Sequence, residues 1–354
     1  MRRRAGVLLA ALIAIVGSTE IRAQDHVALR TDILFYGDNT EFRNPFREGE
    51  TIFGAAPRVS VEASIADRAT LELGVFANQR FGSDDAFELV RPIVALTIRG
   101  HRSRFVFGTL PPSRAGTLGG PDLDGPHALL PPLQRETLSF DRPYEAGFAW
   151  TFSGNRLRHE IWLDWQKVNT PEHRERFDAG MNGDLKLGSH LTLPIQLFIV
   201  HQGGQLFSSG PVADSFSGAA GIRFEERARV ITTLEAFGLA ARFVPDRSRP
   251  SRTQRGAAFL ARGAVEYSGF RGHLIVWRGD DFVTEEGDRN YHSLRRDGTR
   301  YGGVRDYAEV GLTRTFKVVP GVILAASARF HRIENYYEYS YRILAATALS
   351  WRLK

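Results

Sequence analysis

The chain has 354 residues, is 43% hydrophobic and 24% charged, and carries a formal net charge of +6. It contains no cysteine, which excludes disulfide staples, thiolate metal sites and a cysteine nucleophile. Past the N-terminal segment no apolar run approaches the roughly 18 residues that a helical membrane span needs.

The N-terminal segment opens on Arg2-Arg3-Arg4, runs through an apolar stretch from Ala5 to Gly17, and reaches a small residue at Ala23, just before Gln24. A basic head, a short apolar body and a small residue at the cut form a secretory signal peptide over residues 1–23. Removing it takes away Arg2, Arg3, Arg4, Arg22 and Glu20, so the mature chain 24–354 is near +3. No Lys/Arg cluster interleaved with aromatics survives, which leaves a nucleic-acid partner without support.

From there the chain alternates. Leu71, Leu73 and Val75 trade places with Thr70, Glu72 and Phe76, and Leu193, Ile195 and Leu197 with Pro194, Gln196 and Phe198. The same rhythm closes the chain at Ile343, Ala345, Thr347, Leu349, Trp351 and Leu353. Strands are expected near 27–37, 51–64, 68–79, 87–99, 103–110, 143–153, 157–168, 175–188, 190–202, 215–225, 229–243, 256–268, 270–279, 305–316, 320–332 and 337–353. The even-numbered connections are short turns such as Gly188-Ser189 and Ser268-Gly269. The odd-numbered ones, with 38–50, 111–142 and 280–304 among them, are mostly longer and rich in Gly, Pro, Asp, Arg and Ser. Short periplasmic turns opposite longer outer loops are the sidedness of bacterial outer-membrane barrels. The expected fold is therefore all-β: a transmembrane antiparallel up-and-down barrel of about sixteen strands (roughly 14–18) over residues 24–354.

Three prolines, Pro57, Pro92 and Pro194, fall inside these strands and each removes a ladder donor, so they are expected at bulges or near strand ends. Aromatic residues including Trp162, Trp165, Phe237, Phe259, Tyr267, Trp277, Phe330, Tyr339, Tyr341 and Trp351 fit interfacial girdles, although sheet-core packing would enrich them equally.

On the parity opposite the apolar positions lie Arg58, Glu62, Glu72, Asp164, Asp178, Lys186, Arg223, Arg262, Glu266, Arg271, Glu309, Arg329 and Arg342, with Asp184, Glu225 and Arg242 beside them. These are expected to line the lumen, because a charge facing the bilayer midplane costs about 2–4 kcal/mol. They fit either a charged pore that selects solutes or an interior cross-braced by salt bridges. The connection 111–142 holds Leu129, Leu130, Leu133 and Leu138, more apolar residues than a solvated loop needs. It either folds inward to narrow the pore or packs on neighbouring loops. Asp122 and Asp124, and Asp280, Asp281, Glu285, Glu286 and Asp288, have the oxygen chemistry of Ca²⁺ ligands without the spacing of an EF-hand, and read as solvated or arginine-paired loops.

No G-x-S-x-G elbow and no phosphate-cradling glycine loop is present, and His159, His201, His273 and His331 stand alone on strands. The chain is accordingly expected not to be an enzyme and to need no cofactor or metal. A histidine found with serine or carboxylate partners near the outer girdle would instead favour a lipid-modifying barrel enzyme.

The stretches Asp32-Ile33-Leu34-Phe35-Tyr36-Gly37-Asp38-Asn39-Thr40-Glu41-Phe42 and Glu48-Gly49-Glu50-Thr51-Ile52-Phe53-Gly54, together with Ile161-Trp162-Leu163-Asp164-Trp165, resemble a barrel family of Bacteroidetes-like Gram-negative bacteria. The whole mature chain looks like a porin-type outer-membrane barrel. It departs from such barrels at its end, where Trp351 is followed by Arg352-Leu353-Lys354 rather than closing on an aromatic residue. The resemblance implies an outer-membrane location and surrounding lipid and lipopolysaccharide. It also implies dependence on the outer-membrane assembly machinery and passage of small hydrophilic solutes. The alternatives are a non-conducting surface receptor or scaffold and, third, the barrel enzyme.

Overall fold

The computed structural model describes residues 26–112 and 124–353. The signal-peptide segment and residues 113–123 of the long connection lie outside the described residues. The strands are β1 (His26–Glu41), β2 (Glu50–Ile65), β3 (Ala69–Arg80), β4 (Leu89–Arg99), β5 (Ser103–Thr109), β6 (Ala146–Ser153), β7 (Leu157–Lys167) and β8 (Glu175–Lys186). They continue as β9 (Leu191–Gly203), β10 (Ala213–Arg227), β11 (Ile231–Val244), β12 (Gln254–Tyr267), β13 (Phe270–Asp280), β14 (Val304–Val319), β15 (Val322–Ile333) and β16 (Tyr336–Arg352). Each pairs antiparallel with its sequence neighbours, and β1 closes the barrel on β16 from Ala28 opposite Arg352 to Glu41 opposite Tyr339.

Closure leaves no unpaired edge, so alternation sorts side chains between lipid and lumen. In β3, Leu71 and Val75 are exposed while Thr70, Phe76 and Asn78 are buried. One strand breaks the expected parity. In β11 Glu235, Phe237, Leu239 and Ala241 are buried while Leu234, Gly238 and Ala240 are exposed, which turns Arg242 outward rather than into the lumen. The other charged positions read into the lumen share the face of the buried residues in their strands, with Lys186, Glu266 and Arg271 toward the short-turn end.

Pro92 and Pro194, each the fourth residue of its strand, lie near strand ends, whereas Pro57 lies well inside β2. Pro57 keeps its pairing with Ile33, but the β2–β3 ladder is interrupted beside it between Ala55 and Arg58. Pro194 pairs with Asp184 while the β9–β10 ladder skips from Ile195 to Thr192. Pro92 lies beyond the reach of the short β5, and its carbonyl accepts from the Tyr144 hydroxyl at 2.9 Å. Each proline thus turns its missing donor toward a gap in one ladder.

The lumen is filled. Leu129, Leu130 and Leu133 of the long connection are fully buried against Trp162, Phe198, Phe237, Leu260, Ile275 and Trp277 of the wall. Trp162, Phe237 and Trp277 are therefore core residues and not girdle residues, whereas Phe259, Phe330, Tyr339, Tyr341 and Trp351 do face outward. Gly180 makes room for the Trp162 indole, which lies where a side chain there would stand.

Polar contacts seat this plug. Gln196 accepts from the Leu130 N–H at 2.8 Å and donates to the Ala128 carbonyl at 3.0 Å. Arg262 grips Asp124 and the wall residue Glu235, and Glu136 receives both Arg329 and Arg342. The outer loop between β13 and β14 folds in as well. Its Glu286 takes Arg135, Arg142 and Arg176, and its Thr284 hydroxyl donates to the Pro132 carbonyl at 2.8 Å. Of the acidic residues raised as Ca²⁺ ligands, Asp124 and Glu286 are held in these pairs, and Asp281 pairs with Arg300, Glu285 with Arg176 and Asp288 with Arg47, while Asp122 lies outside the described residues. Between the two readings of the lumen charges, these contacts are those of a cross-braced interior.

Two loop groups set a pH window for the plug. Burial opposes the charge of Glu136, but Arg329 and Arg342 outweigh it and lower its pKa from 4.5 to about 2. Burial likewise opposes His127, yet Glu145 and Glu160 raise it from 6.5 to about 10. The Glu136 contribution is complete above its unfolded value and is lost as pH falls toward about 2. That of His127 is complete below 6.5 and is lost as pH rises through about 10. Fluorescence of Trp162, which stacks on His127 at 4.0 Å, should report loosening at both extremes and a plateau between them. Glu136→Gln leaves two buried guanidinium groups short of a counter-charge and should destabilise plug docking by about 3–5 kcal/mol, read as faster proteolysis within 126–142. Replacing residues 126–142 by a short Gly/Ser linker should raise single-channel conductance severalfold; unchanged conductance would mean that these residues do not close the lumen.

Candidate functional site

At the long-loop end of the barrel the tight turn between β15 and β16 fixes a register that sets Ile333 opposite Tyr336, and therefore Arg329 opposite Ser340. On the other side of β15, His331 faces Glu309 of β14. Alternation turns Glu309, Arg329, His331, Ser340 and Arg342 inward together, and all are buried.

Ser340 Oγ lies 2.8 Å from His331 Nε2. On the far side of the ring, His331 Nδ1 is 2.8 Å from the Tyr307 hydroxyl and 3.4 Å from Glu309 Oε2. The Tyr307 hydroxyl donates to Glu309 Oε2 at 2.5 Å, and His273 Nε2 stands 2.9 Å from Glu309 Oε1. A tyrosine that gives its proton to the carboxylate can only accept from Nδ1. That places the imidazole proton on Nδ1 and leaves Nε2 free to take the Ser340 proton. Gly311 opposite His273 is required here, because a Cβ at that position would stand 2.3 Å from the His273 ring.

The segment between β1 and β2 straps over this group. The Phe42 ring meets His331 edge-on at 5.0 Å. Glu338 accepts from the Arg43 N–H and from Asn44 Nδ2, both at 2.6 Å. Arg47 reaches Asp288 of the other infolded loop, and the Arg305 guanidinium lies 3.3 Å over the Phe46 ring. Asp38 pairs with Arg342, and Thr40 stands directly opposite Ser340. The Asp38–Phe42 stretch quoted above for its family resemblance therefore forms one wall and the roof of this cluster.

Beneath the strap is a cavity of about 10 Å³, room for about one water, whose lining includes Asp38, Thr40, Glu309, His331 and Ser340. Outside it opens a polar cavity of about 500 Å³ bordered by Glu48, Glu50, Arg135, Asp141 and Arg296. Arg47 and Asp288 line both, so their ion pair is part of the partition. Among the described residues no group of three His, Asp or Glu side chains is arranged to hold a metal ion.

Of the charged residues singled out from sequence, Glu309, Arg329 and Arg342 come together here. Arg223 and Arg262 meet instead at Glu235, Arg58 pairs with Glu72, and Asp164 faces Asp178 across β7 and β8. Tyr307 and Ser340 were not singled out. The two-residue turn at 334–335 was the signal, since it fixes which β15 and β16 residues are neighbours.

The barrel matches solved outer-membrane proteins in fold. A loop-deletion mutant of OmpT from Vibrio cholerae aligns at 8% identity over 93% of this chain and 100% of its own, with a TM-score of 0.55. The anion-selective porin of Comamonas acidovorans aligns at 9% identity over 92% and 100%, also at 0.55. OccK8 (OprE) of Pseudomonas aeruginosa aligns at 11% over 94% and 100%, at 0.52. No curated protein matches the chain in sequence. The family model described as Lipid A 3'-O-deacylase-type matches residues 19–354. A deacylase family is an enzyme family, and this match overturns the expectation of a barrel without enzymatic activity. That expectation rested on a missing sequence elbow and on histidines that stand alone in the sequence; His331 does not stand alone in the fold. The chain belongs to the lipid A 3'-O-deacylase-type family.

Proposed function

We propose that this protein hydrolyses an acyl ester of lipid A in the bacterial outer membrane, with Ser340 as nucleophile and His331 as general base. The observation that carries the reading is the hydrogen-bonded series Ser340–His331–Tyr307–Glu309 in a chain of a deacylase family. Ser340 Oγ attacks the ester carbonyl as its proton passes to His331 Nε2. The sugar hydroxyl then leaves with that proton, giving an acyl-enzyme. Water activated by the same nitrogen releases the fatty acid and restores Ser340. Glu309, through Tyr307, holds the ring and stabilises the imidazolium. The Arg329 guanidinium, on the residue opposite Ser340, supplies positive charge where the tetrahedral oxyanion forms.

Ser340 is 8% exposed and His331 3%, so an ester reaches them only when the Phe42–Arg47 strap lifts and joins the inner cavity to the outer one. Full-length protein in detergent micelles should release fatty acid from lipopolysaccharide. Ser340→Ala and His331→Gln should each reduce the rate by a factor of about 10³ or more while the barrel stays heat-modifiable on gels. A folded Ser340→Ala protein with undiminished activity would defeat the assignment. Arg47→Ala, which opens the partition, should speed fluorophosphonate labelling of Ser340 by several-fold.

The second reading is passive diffusion of small hydrophilic solutes. Barrel size and the polar outer cavity favour it, and the infolded loops oppose it. Stepwise conductance by unmodified protein in a planar bilayer would support it.

A further inference from the structure

On the lipid face of β9 to β12 the wall is hollowed. Gly218, Ala220, Gly238, Ala240 and Ala257 all point outward and leave an open, predominantly apolar groove of about 1110 Å³. Ile195, Leu197 and Phe216 stand along one side of it. The volume exceeds the roughly 300–1,000 Å³ of enclosed ligand sites, as that of an open groove does. A Cβ added at Gly238 would meet no atom within 4 Å, so the hollow there is empty space and not a packing compromise.

Arg242 and Arg255 close one end of the groove. They are directly opposed in the β11–β12 ladder, both turn outward, and among the described residues neither side chain makes a hydrogen bond, ion pair or ring contact. Two like charges directly opposite one another repel. Here they do so on a surface where outward cations are penalised increasingly with depth. Both lie at the long-loop end of their strands, which is the outer-leaflet side. An anion with an attached hydrocarbon satisfies every one of these features: the negative group bridges the two guanidinium groups, and the chain lies in the hollow below. Planar guanidinium pairs are well matched to phosphate oxygens.

We infer that this groove is a binding site for a phosphorylated, acylated lipid of the outer leaflet, lipid A, with a phosphate on Arg242 and Arg255 and an acyl chain between β9 and β12. The site lies on the outer surface of the wall, whereas Ser340 and His331 face the lumen from β15 and β16. The inference therefore does not rest on the hydrolase reading.

The test is native mass spectrometry of the full-length protein in detergent micelles, titrated with bis-phosphorylated lipid A, dephosphorylated lipid A or phosphatidylglycerol. It is run in wild type and in Ser340→Ala, so that turnover is not mistaken for failure to bind. Bis-phosphorylated lipid A should be retained, and the Arg242→Gln/Arg255→Gln protein should hold it at least about tenfold more weakly. Gly238→Leu, which fills the hollow and leaves both arginines in place, should weaken it similarly and provides a second variant should the first fold poorly. Equal retention by both variants, or equal retention of dephosphorylated lipid A, would overturn the site. So would phosphatidylglycerol binding as well as lipid A, since that is the behaviour of an unselective annular contact. Loss of fatty-acid release in Ser340→Ala with lipid retention intact would leave the groove standing and bear only on the catalytic assignment.

Discussion

In a hydrocarbon surround no water is present to take an unpaired backbone N–H or C=O, so a sheet can cross only if it has no edge. The pairing of β1 with β16 meets that condition, and most other features follow from it. A closed wall gives each strand one lipid face and one lumen face, which forces ionisable residues inward wherever the strand crosses the bilayer. Even the prolines obey the same constraint: each is tolerated because the ladder is already open beside it.

Charges driven inward then need partners, and the lumen of this barrel is not left to water. Glu136 on the plug answers Arg329 and Arg342 on the wall, Asp124 answers Arg262, and Glu286 gathers three arginines. Such pairs are poor as net sources of stability, because desolvation offsets much of the attraction. They are strong as devices of register, since losing one member strands the other. The apolar contacts of Leu129, Leu130 and Leu133 supply burial, and the ion pairs decide where those leucines sit.

The same packing that fills the barrel assembles the group proposed as catalytic. Glu309, His331 and Ser340 sit on three successive strands, with the Asp38–Phe42 stretch roofing them. A buried Ser340 behind an ion-paired strap suits the proposed lipid hydrolysis, in which continuous access would mean continuous hydrolysis of the surrounding membrane. The ungated lipid contacts lie on the opposite face of the wall, where the outward arginines of β11 and β12 border the hollow.

Alternation and turn chemistry by themselves determined the wall: the sixteen expected strands correspond one to one with β1 to β16, differing mainly by a few residues at their ends. They also placed Glu309, Arg329 and Arg342 inside, because a two-residue period read against lipid is unambiguous wherever outward residues are plainly apolar. Parity failed at Arg242, because β11 turns the large apolar Phe237 and Leu239 inward against the plug while the outward residues next to Arg242 are only Gly238 and Ala240, with Leu234 further along the lipid face. The tertiary structure alone decided what fills the lumen, since apolar residues in the 111–142 connection fit a surface loop equally until Gln196 and Arg262 are seen to hold it. It alone also joined Ser340 to His331 and Tyr307. Those residues are distant in chemistry-bearing motifs and become neighbours only through strand register, which is a property of the closed sheet and of the turns that set it.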